Sequence, residues 1–396
     1  MKIIIPRVTT LRFHQEYDGG AKYVYYLSRY LAKKGIDVTI VTTKTKKTKK
    51  REIVEDGVKY NFLPLRYTGK RLIKLNVPYK LIFAWNLRRY LEKTDFDILH
   101  SSEMFAYFYL RKKKRKPVIM QCHGLEPFYG PESLSQKGLK KLYIKLFLQY
   151  PWRYCLQKSD KVASEGNFQT PSLEKLRIKR EKIIPFPNGV DFNKTKRLKK
   201  EYKNKREGLR IKKEDLLILS VCQIAPDKGI DDIINAFVLL KKEIKNAKLL
   251  LIGQGVLEEM MYKLIKKYNL EKDIFHLKNI PEKDLYDYYF SSDIFVNASI
   301  QYDFIVGIQE AMACGLPIVS SAQPMLVKDG VNGYVIGMKN PKGIAKGILK
   351  IWGDKKLMKK MGKESIKFSK EYDWKNVAKA AIKEYEKLIK GKLIIK

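Results

Sequence analysis

Two stretches in the second half of the sequence carry a charged side chain where a phosphate-bearing ligand could use it. Lys228 lies in residues 221–229, between an apolar segment and an amphipathic one. A lysine ammonium at that point suits a diphosphate, and a solvated lysine is the alternative in a chain so rich in lysine. Glu310 lies within residues 306–314, which are otherwise mostly small or apolar. A carboxylate buried there needs partners, either amides and sugar hydroxyls or a structural ion pair.

Two glycine pairs occupy equivalent places in the two halves of the chain. Gly19 and Gly20 follow the first apolar segment and open the first long helical pattern. Glycine lets the backbone approach a ligand closely, and the exposed amides at a helix start attract anions, so we expect a ligand loop here. Gly253 and Gly255 repeat the arrangement, and a tight turn explains them equally well. Neither pair completes a dinucleotide fingerprint or a P-loop.

These residues stand between alternating strand and helix patterns. The first half predicts strands at 2–6, 37–42, 96–100 and 118–121 and a helix at 21–34; the second predicts strands at 216–222, 248–252, 274–277, 294–297 and 316–320 and helices at 230–244, 257–268 and 306–314. Such alternation indicates an α/β protein with parallel, doubly wound sheets. The pattern restarts once, which predicts two Rossmann-like domains facing a central cleft, with ligands at the carboxyl ends of the strands.

The domain boundaries follow from the same pattern. Residues 1–192 form the first predicted domain and residues 214–373 the second, with a basic, partly helical linker at 193–213. We expect a C-terminal helix at 374–390 to return to the first domain. No apolar run reaches the roughly 18 residues that a membrane-spanning helix needs, and the short apolar start of the chain predicts a first strand rather than a signal peptide.

The chain is strongly basic, with 81 Lys and Arg against 42 Asp and Glu and a formal net charge of +39 over its 396 residues. This balance favours polyanionic partners, whether nucleic acid, an anionic membrane surface or a phosphate-bearing substrate. A nucleic-acid-binding protein is disfavoured because the basic residues are dispersed and no recognised module is present. The 4 cysteines are far apart in sequence and form no CxxC, which predicts reduced thiols and a cytoplasmic protein.

Basic and aromatic residues alternate along residues 139–153, and two basic runs at 44–51 and 111–116 lie in the same predicted domain. Together they could hold the protein peripherally on the inner face of an anionic membrane, since each basic residue near the surface contributes on the order of 1 kcal/mol. An ordinary packed helix with solvated loops is the alternative explanation.

Several short motifs, each common alone, occur here in a characteristic combination. They are Gly19-Gly20, Cys122-His123-Gly124, Pro187-Asn188-Gly189-Val190-Asp191, Asp227-Lys228-Gly229, Asp293-Ile294-Phe295-Val296, the run 310–317, and Asp329-Gly330-Val331-Asn332-Gly333. The chain thereby resembles glycosyltransferase family 4, the retaining, glycogen-synthase-like transferases of the GT-B fold. The resemblance implies transfer of a sugar from a nucleotide diphosphate-sugar to an acceptor hydroxyl, without a further cofactor. It also implies that residues 1–192 are the acceptor-side domain and residues 214–373 the nucleotide-sugar-binding domain.

The resemblance also implies roles for individual residues. Lys228 would bind the donor diphosphate, Glu310 the ribose hydroxyls, and His123 the donor sugar from the first domain; we take these three as the catalytic set. A single histidine at a strand end is more often structural, and the neighbouring Gly124 favours the site. The Gly19-Gly20 loop would border donor and acceptor.

The donor-binding set extends to the segment before the last helix of the pattern, with the backbone of Phe304, Ile305 and Val306 near sugar and phosphates. This sequence departs from the family at two positions. Gln223 stands where the family usually has an arginine, and Tyr302 stands where it has a first glutamate, with Asp303 beside it as a substitute carboxylate.

We predict no metal requirement. The sequence Asp95-Phe96-Asp97 matches a metal-binding DxD only superficially, because it precedes its apolar strand, and we interpret it as a loop. The basic first domain points to a lipid-linked or cell-surface glycan as acceptor. A GT-B relative that epimerises a sugar nucleotide, and a polyanion-binding protein, are the alternative functions.

Overall fold

The computed structural model describes residues 1–10, 19–45, 48, 50–66, 76–129, 137–300, 305–321 and 325–394. It divides the chain into two compact units, Met1–Asn188 with Trp374–Lys396, and Gly189–Asp373. Residues 1–188 of the predicted acceptor-side domain and its C-terminal helix fall in the first unit, whereas residues 189–192 belong to the second. The predicted linker at 193–213 lies inside the second unit, where the helix Phe192–Glu201 packs against the helix Glu282–Ser291.

The strands, in chain order, are β1 Lys2–Pro6, β2 Asp37–Lys44, β3 Glu52–Glu55, β4 Val58–Arg66, β5 Ile98–Ser102, β6 Val118–Cys122, β7 Lys161–Ser164 and β8 Ile183–Pro185 in the first unit, and β9 Leu217–Val221, β10 Lys248–Ile252, β11 Ile274–Leu277, β12 Ile294–Asn297, β13 Ile318–Ser321 and β14 Gly333–Ile336 in the second. The α-helices are α1 Gly19–Ala32, α2 Asn76–Leu91, α3 Tyr107–Leu110, α4 Glu126–Tyr129, α5 Gly138–Ile144, α6 Tyr150–Lys158, α7 Thr170–Lys175, α8 Phe192–Glu201, α9 Ile230–Glu243, α10 Glu258–Lys267, α11 Glu282–Ser291, α12 Val306–Ala313, α13 Pro341–Gly353, α14 Lys355–Ser369 and α15 Trp374–Ile394. A π-helix, Lys145–Gln149, joins α5 to α6.

The sheet of the first unit has the order β3-β4-β2-β1-β5-β6-β7-β8, and every pair is parallel except β3 with β4. The residues of β5 and β6 are all buried because helices cover both faces of the sheet. The strand order reverses direction between β1 and β5, which makes the carboxyl ends of these two strands the expected ligand crevice.

The C-terminal helix α15 completes the core on one face of this sheet. Its residues Trp374, Val377 and Ala381 are almost fully buried in a cluster with Tyr23 and Leu27 of α1. The predicted return of this helix to the first domain is confirmed.

The sheet of the second unit is parallel throughout, with the order β11-β10-β9-β12-β13-β14. Its central strand β9 is followed in sequence by β10 on one side, whereas β12 lies on the other. The switch point therefore falls between the carboxyl ends of β9 and β12. Both predicted doubly wound α/β domains are confirmed.

The DxD-like sequence has a structural role. The Asp95 carboxylate forms an ion pair with the Lys2 ammonium at 2.7 Å, and Asp97 accepts a hydrogen bond from the Lys2 backbone N–H at 2.7 Å. Both aspartates lie in the loop before β5 and fasten the start of β1 to it. The interpretation of this sequence as a loop agrees with these contacts.

A buried polar network ties α15 to the first sheet. Gln121 Oε1 accepts hydrogen bonds from the Tyr23 hydroxyl at 2.8 Å and from His100 Nε2 at 3.3 Å, so the hydrogen of the His100 ring lies on Nε2. His100 Nδ1 then accepts from the Tyr385 hydroxyl of α15 at 2.6 Å. Burial lowers the pKa of His100 to about 4, which keeps the ring neutral near neutral pH.

We expect His100 to make the first unit acid-sensitive. The unfolded chain takes up a proton at this ring near its ordinary pKa of 6.5, whereas the folded chain does so only near 4. The free energy of unfolding should therefore fall as the pH drops from about 6.5 to about 4, by roughly 3 kcal/mol. Urea unfolding followed by tryptophan fluorescence should show this fall in the parent and a shallower one in His100→Gln. The same replacement at the partly exposed His276 is the control, and equal slopes in all three proteins would contradict the assignment.

Candidate functional site

In the first unit, the start of α1 lies against the end of β1. A Cβ atom at Gly20 would stand 2.7 Å from the Arg7 guanidinium, and Arg7 directly follows β1. Only glycine allows this approach without moving the arginine, so the requirement for Gly20 is steric. The predicted loop residues Gly19 and Gly20 thus lie at the switch point of the first sheet, as the first two residues of α1.

A charged group that the sequence did not reveal lies at the same edge. Glu103 directly follows β5 and has a left-handed backbone with φ of 52°. Its carboxylate forms an ion pair with Lys80, and one of its oxygens lies 3.9 Å from the Arg7 guanidinium. A glutamate rarely adopts this conformation, which commonly marks a constrained site. The ends of β1 and β5 therefore carry two cations and one anion.

His123 directly follows β6, and its ring contacts other side chains of the first unit. Its Nδ1 lies 3.2 Å from Glu165 Oε1, and the Asn188 amide donates to the same oxygen at 2.8 Å. The Tyr23 ring meets the His123 ring edge-on with centroids 4.8 Å apart. Sequence reasoning missed Glu165, whose only signal was a carboxylate placed directly after an apolar strand.

In the second unit, the turn that carries Lys228 is fixed to the end of β12. The Asp227 carbonyl accepts hydrogen bonds from the Ile300 N–H at 2.9 Å and the Ser299 hydroxyl at 3.1 Å. Gly229 has φ of 61°, and a Cβ atom there would stand 2.2 Å from the Ala298 carbonyl oxygen. Only glycine fits this position, which explains the Asp227-Lys228-Gly229 sequence locally.

Lys228 is mostly buried and carries its charge beside the end of β9. Its ammonium lies 2.6 Å from the Asp227 carboxylate. Burial raises the pKa of the Cys222 thiol to about 11, and the Lys228 charge opposes that rise. Gln223, the next residue, is exposed at the same edge of the sheet.

Helix α12 begins at the switch point of the second sheet. A Cβ atom at Gly307 would stand 2.8 Å from the carbonyl oxygen of Val221, the last residue of β9. Ile305 is the N-cap of α12 and offers no side-chain hydrogen bond to the first turn. The backbone amides of Ile305 and Val306 therefore lie at a helix N-terminus that attracts anions.

Glu310 lies on α12 one turn after Val306 and is 5% exposed. Its Oε2 accepts a hydrogen bond from the Tyr289 hydroxyl of α11 at 3.0 Å. Burial, reinforced by the Glu310 charge, raises the pKa of Tyr289 well above its ordinary value, so the phenol stays protonated and donates. Tyr289 is thus one of the donors that a buried carboxylate requires.

The structure places Lys228, Ile305, Val306 and Glu310 in the second unit, at or near the carboxyl ends of β9 and β12, while Gly19, Gly20 and His123 belong to the first unit. Asp303 and Phe304, two predicted donor-binding residues, lie outside the described residues, as does Tyr302. Gly253 and Gly255 pack closely against the Cys222 and Ile224 carbonyls, which supports the tight-turn explanation for that pair.

Two doubly wound α/β domains are the architecture of the GT-B glycosyltransferases, and the second carries a lysine, a helix N-terminus and a buried carboxylate at the carboxyl edge of its sheet. Family comparison agrees. The profile described as Glycosyltransferase Family 4 matches residues 17–194, and that of Glycosyl transferases group 1 matches residues 201–368. The chain belongs to these glycosyltransferases, of the family 4 type, and is a hexosyltransferase.

Individual proteins support the same classification. The chain is 24% identical over 278 residues to alpha-monoglucosyldiacylglycerol synthase from Acholeplasma laidlawii, with 64% of this chain and 66% of that protein covered. Sucrose-phosphate synthase from Thermosynechococcus elongatus superposes with a TM-score of 0.79 at 20% identity, covering 98% of this chain and 99% of the other. The Anabaena protein HepE, solved in complex with UDP and glucose, gives a TM-score of 0.71 at 13% identity over 98% of this chain and 100% of its own.

Proposed function

We propose that the protein transfers a hexose from a nucleotide diphosphate-sugar to an acceptor hydroxyl with retention of anomeric configuration. The observation that carries the donor assignment is the grouping of Lys228, the N-terminus of α12 and the buried Glu310 at one switch point. HepE, with the same fold, is described in complex with UDP and glucose, which supports a donor of this class.

The second unit supplies the donor contacts in this proposal. Lys228 and the amides of Ile305 and Val306 hold the diphosphate, because an ammonium and a helix N-terminus both place positive charge there. Glu310 accepts hydrogen bonds from the ribose hydroxyls. Among the described residues no group of three or more His, Cys, Asp or Glu side chains is arranged to hold a metal ion. Independence from metal remains a prediction, tested by activity in the presence of EDTA.

The transfer step needs no dedicated protein base. The bond from the anomeric carbon to the diphosphate oxygen breaks, the acceptor oxygen forms its bond on the same face of the sugar, and the acceptor proton passes to the departing phosphate. Lys228 stabilises the charge that develops on that phosphate. His123 and the Gly19-Gly20 loop contribute from the first unit by positioning sugar and acceptor.

The acceptor side of the proposal rests on an exposed apolar face of the first unit. Across α5 and the following π-helix no residue is buried. The apolar residues on this stretch recur at spacings of three and four, and Leu139 is 86% exposed; the others are Leu142, Leu146, Phe147 and Tyr150. Such spacing ordinarily marks the face that a helix buries, so here it indicates a surface with a partner.

Helix α2 extends the same face. It packs against the π-helix and exposes Ile82 and Trp85, with the Arg88 guanidinium 5.6 Å from the Trp85 ring. Basic residues accompany the apolar ones; they are Arg88, Arg89, Lys140, Lys141, Lys145 and Arg153. Apolar side chains flanked by cations fit an anionic lipid surface. We call these residues of α2, α5, the π-helix and α6 the docking face.

We therefore propose peripheral attachment to the cytoplasmic side of an anionic membrane, with a lipid-linked glycan or glycolipid as acceptor. The described residues contain no helix long and apolar enough to cross a membrane. The cysteines are thiols in the structure, which fits a reducing compartment. The name of the Acholeplasma laidlawii relative describes a glycolipid synthase, which supports the lipid acceptor.

A thermal-shift screen against UDP-, GDP- and ADP-sugars tests the donor assignment. A donor present at 100 times its dissociation constant should stabilise the protein by about 2.7 kcal/mol. No shift with any of the three classes would contradict the proposal. Product analysis with the donor alone separates a transferase from an epimerase, which would convert the donor sugar without an acceptor.

Introducing glutamates on the docking face should detach the protein from anionic vesicles. In the double variant Leu146→Glu/Phe147→Glu, two apolar contacts are lost and two repelling charges are added, so binding should fall at least tenfold. Co-sedimentation with vesicles of phosphatidylglycerol and phosphatidylcholine measures this. Val256→Glu, which alters a still more exposed apolar residue of the second unit, is the control. Unchanged binding of the double variant, or equal loss in the control, would contradict the docking face.

A further inference from the structure

Three neighbouring strands of the first sheet end in polar side chains that contact one another. His123 follows β6, Glu165 follows β7, and Asn188 lies three residues after β8. Parallel strands place their carboxyl ends at one edge, so residues 42 and 23 positions apart in sequence meet there. No local sequence pattern predicts this grouping.

The Glu165 side chain is 3% exposed, so its charge is held almost entirely by protein contacts. An ionised carboxylate can only accept hydrogen bonds. The contact with His123 Nδ1 therefore requires the hydrogen on that nitrogen, and the second donor to the same oxygen is the Asn188 amide. The Glu165 backbone N–H donates to Gln169 Oε1 at 3.0 Å, and this bond holds the backbone of Glu165 in place.

We infer that Glu165 is a positioning residue for His123. It holds the imidazole plane against the Tyr23 ring and sets the tautomer that carries hydrogen on Nδ1, so the neutral ring has its lone pair on Nε2. Such a ring accepts a hydrogen bond from a sugar hydroxyl instead of donating one. Asn188 orients Glu165 through its hydrogen bond to Oε1. The role of His123 toward the donor sugar rests on the proposed function, whereas its tautomer does not.

The tautomer can be observed without any activity. The chain has 4 histidines, so a protein labelled with ¹⁵N at histidine gives few signals, and His123→Asn identifies those of His123. Above the pH at which the ring is protonated, we expect a protonated Nδ1 and an unprotonated Nε2. Glu165→Ala should shift the ring toward a mixture of tautomers, and Glu165→Gln, which retains an accepting oxygen, should preserve the original one. Glu174→Ala, at a carboxylate on α7, is the control. A hydrogen on Nε2 in the parent, or no change in Glu165→Ala, would overturn the inference.

Kinetics provide the second readout. If Glu165 acts through His123, Glu165→Ala should lower kcat by roughly 10- to 100-fold in the parent and far less in a His123→Asn background. KM for the acceptor should change little, and Glu165→Gln should recover most of the loss. Equal effects in both backgrounds would show that Glu165 acts independently of His123. If no donor is turned over at all while the tautomer is as expected, the proposed function fails and the positioning role stands.

Discussion

Replacing Glu310 by glutamine is expected to lower kcat/KM for sugar transfer by about 10- to 100-fold while the protein remains folded. The amide has nearly the same size and retains an oxygen for the Tyr289 hydroxyl, so the buried contact between α11 and α12 survives. The negative charge that would accept the ribose hydroxyls is lost. Hydrogen bonds to a charged group are worth about 1.5–3 kcal/mol, which gives the expected factor.

The controls separate the charge from the packing. Tyr289→Phe removes the phenol donor but keeps the ring that stacks on Phe295, so it should reduce stability more than activity. Glu259→Gln alters an exposed carboxylate of the same unit and should change neither. Isothermal titration with the donor that the thermal-shift screen identifies measures the binding part. Full activity in Glu310→Gln would remove Glu310 from the donor site.

The strands and helices next to the donor site could be predicted from the sequence because their patterns are strong. β10, β11 and β12 have the predicted bounds, and α9 differs from its prediction by one residue. Strands that are buried on both faces appear in the sequence as short, continuous apolar runs, and the glycines that end helices mark the helix boundaries. Lys228 was found as a charge near the end of such a run, and Glu310 as a carboxylate inside a helical segment of mostly small and apolar residues.

What could not be predicted depends on contacts between distant parts of the chain. Glu165 and Asn188 become partners of His123 only through the order of β6, β7 and β8, which no local pattern encodes. Glu103 looks like any loop glutamate until its backbone conformation and its partners are known. The docking face was recognisable as an apolar helical pattern, but the period is the same whether that face lies in a core or in solvent.

Replacing Lys228 by alanine should have the largest effect of any single substitution at the donor site, about 100- to 1000-fold on kcat/KM. Losing one preorganised donor to a developing negative charge typically costs about 2.7–4 kcal/mol. Gln223, where the family usually has an arginine, carries no charge. Lys228 must therefore neutralise a larger share of the negative charge of the diphosphate in this chain. Lys228→Arg should retain part of the activity because it keeps the charge but not the shape. Lys263→Ala, at an exposed lysine of the same unit, is the matched control.

The position of Gln223 allows a stronger test of the same argument. Gln223 is exposed two residues after β9, at the edge of the sheet where Lys228 also lies. If the loss in Lys228→Ala is a loss of charge at the diphosphate, Gln223→Arg should return a cation to that ligand and recover at least tenfold in kcat/KM. If Lys228 instead stabilises the turn through its ion pair with Asp227, the added arginine should have no effect, and Asp227→Asn should be as damaging as Lys228→Ala. Steady-state kinetics of Lys228→Ala, of Lys228→Ala combined with Gln223→Arg, and of Asp227→Asn distinguish a diphosphate-binding lysine from a structural one.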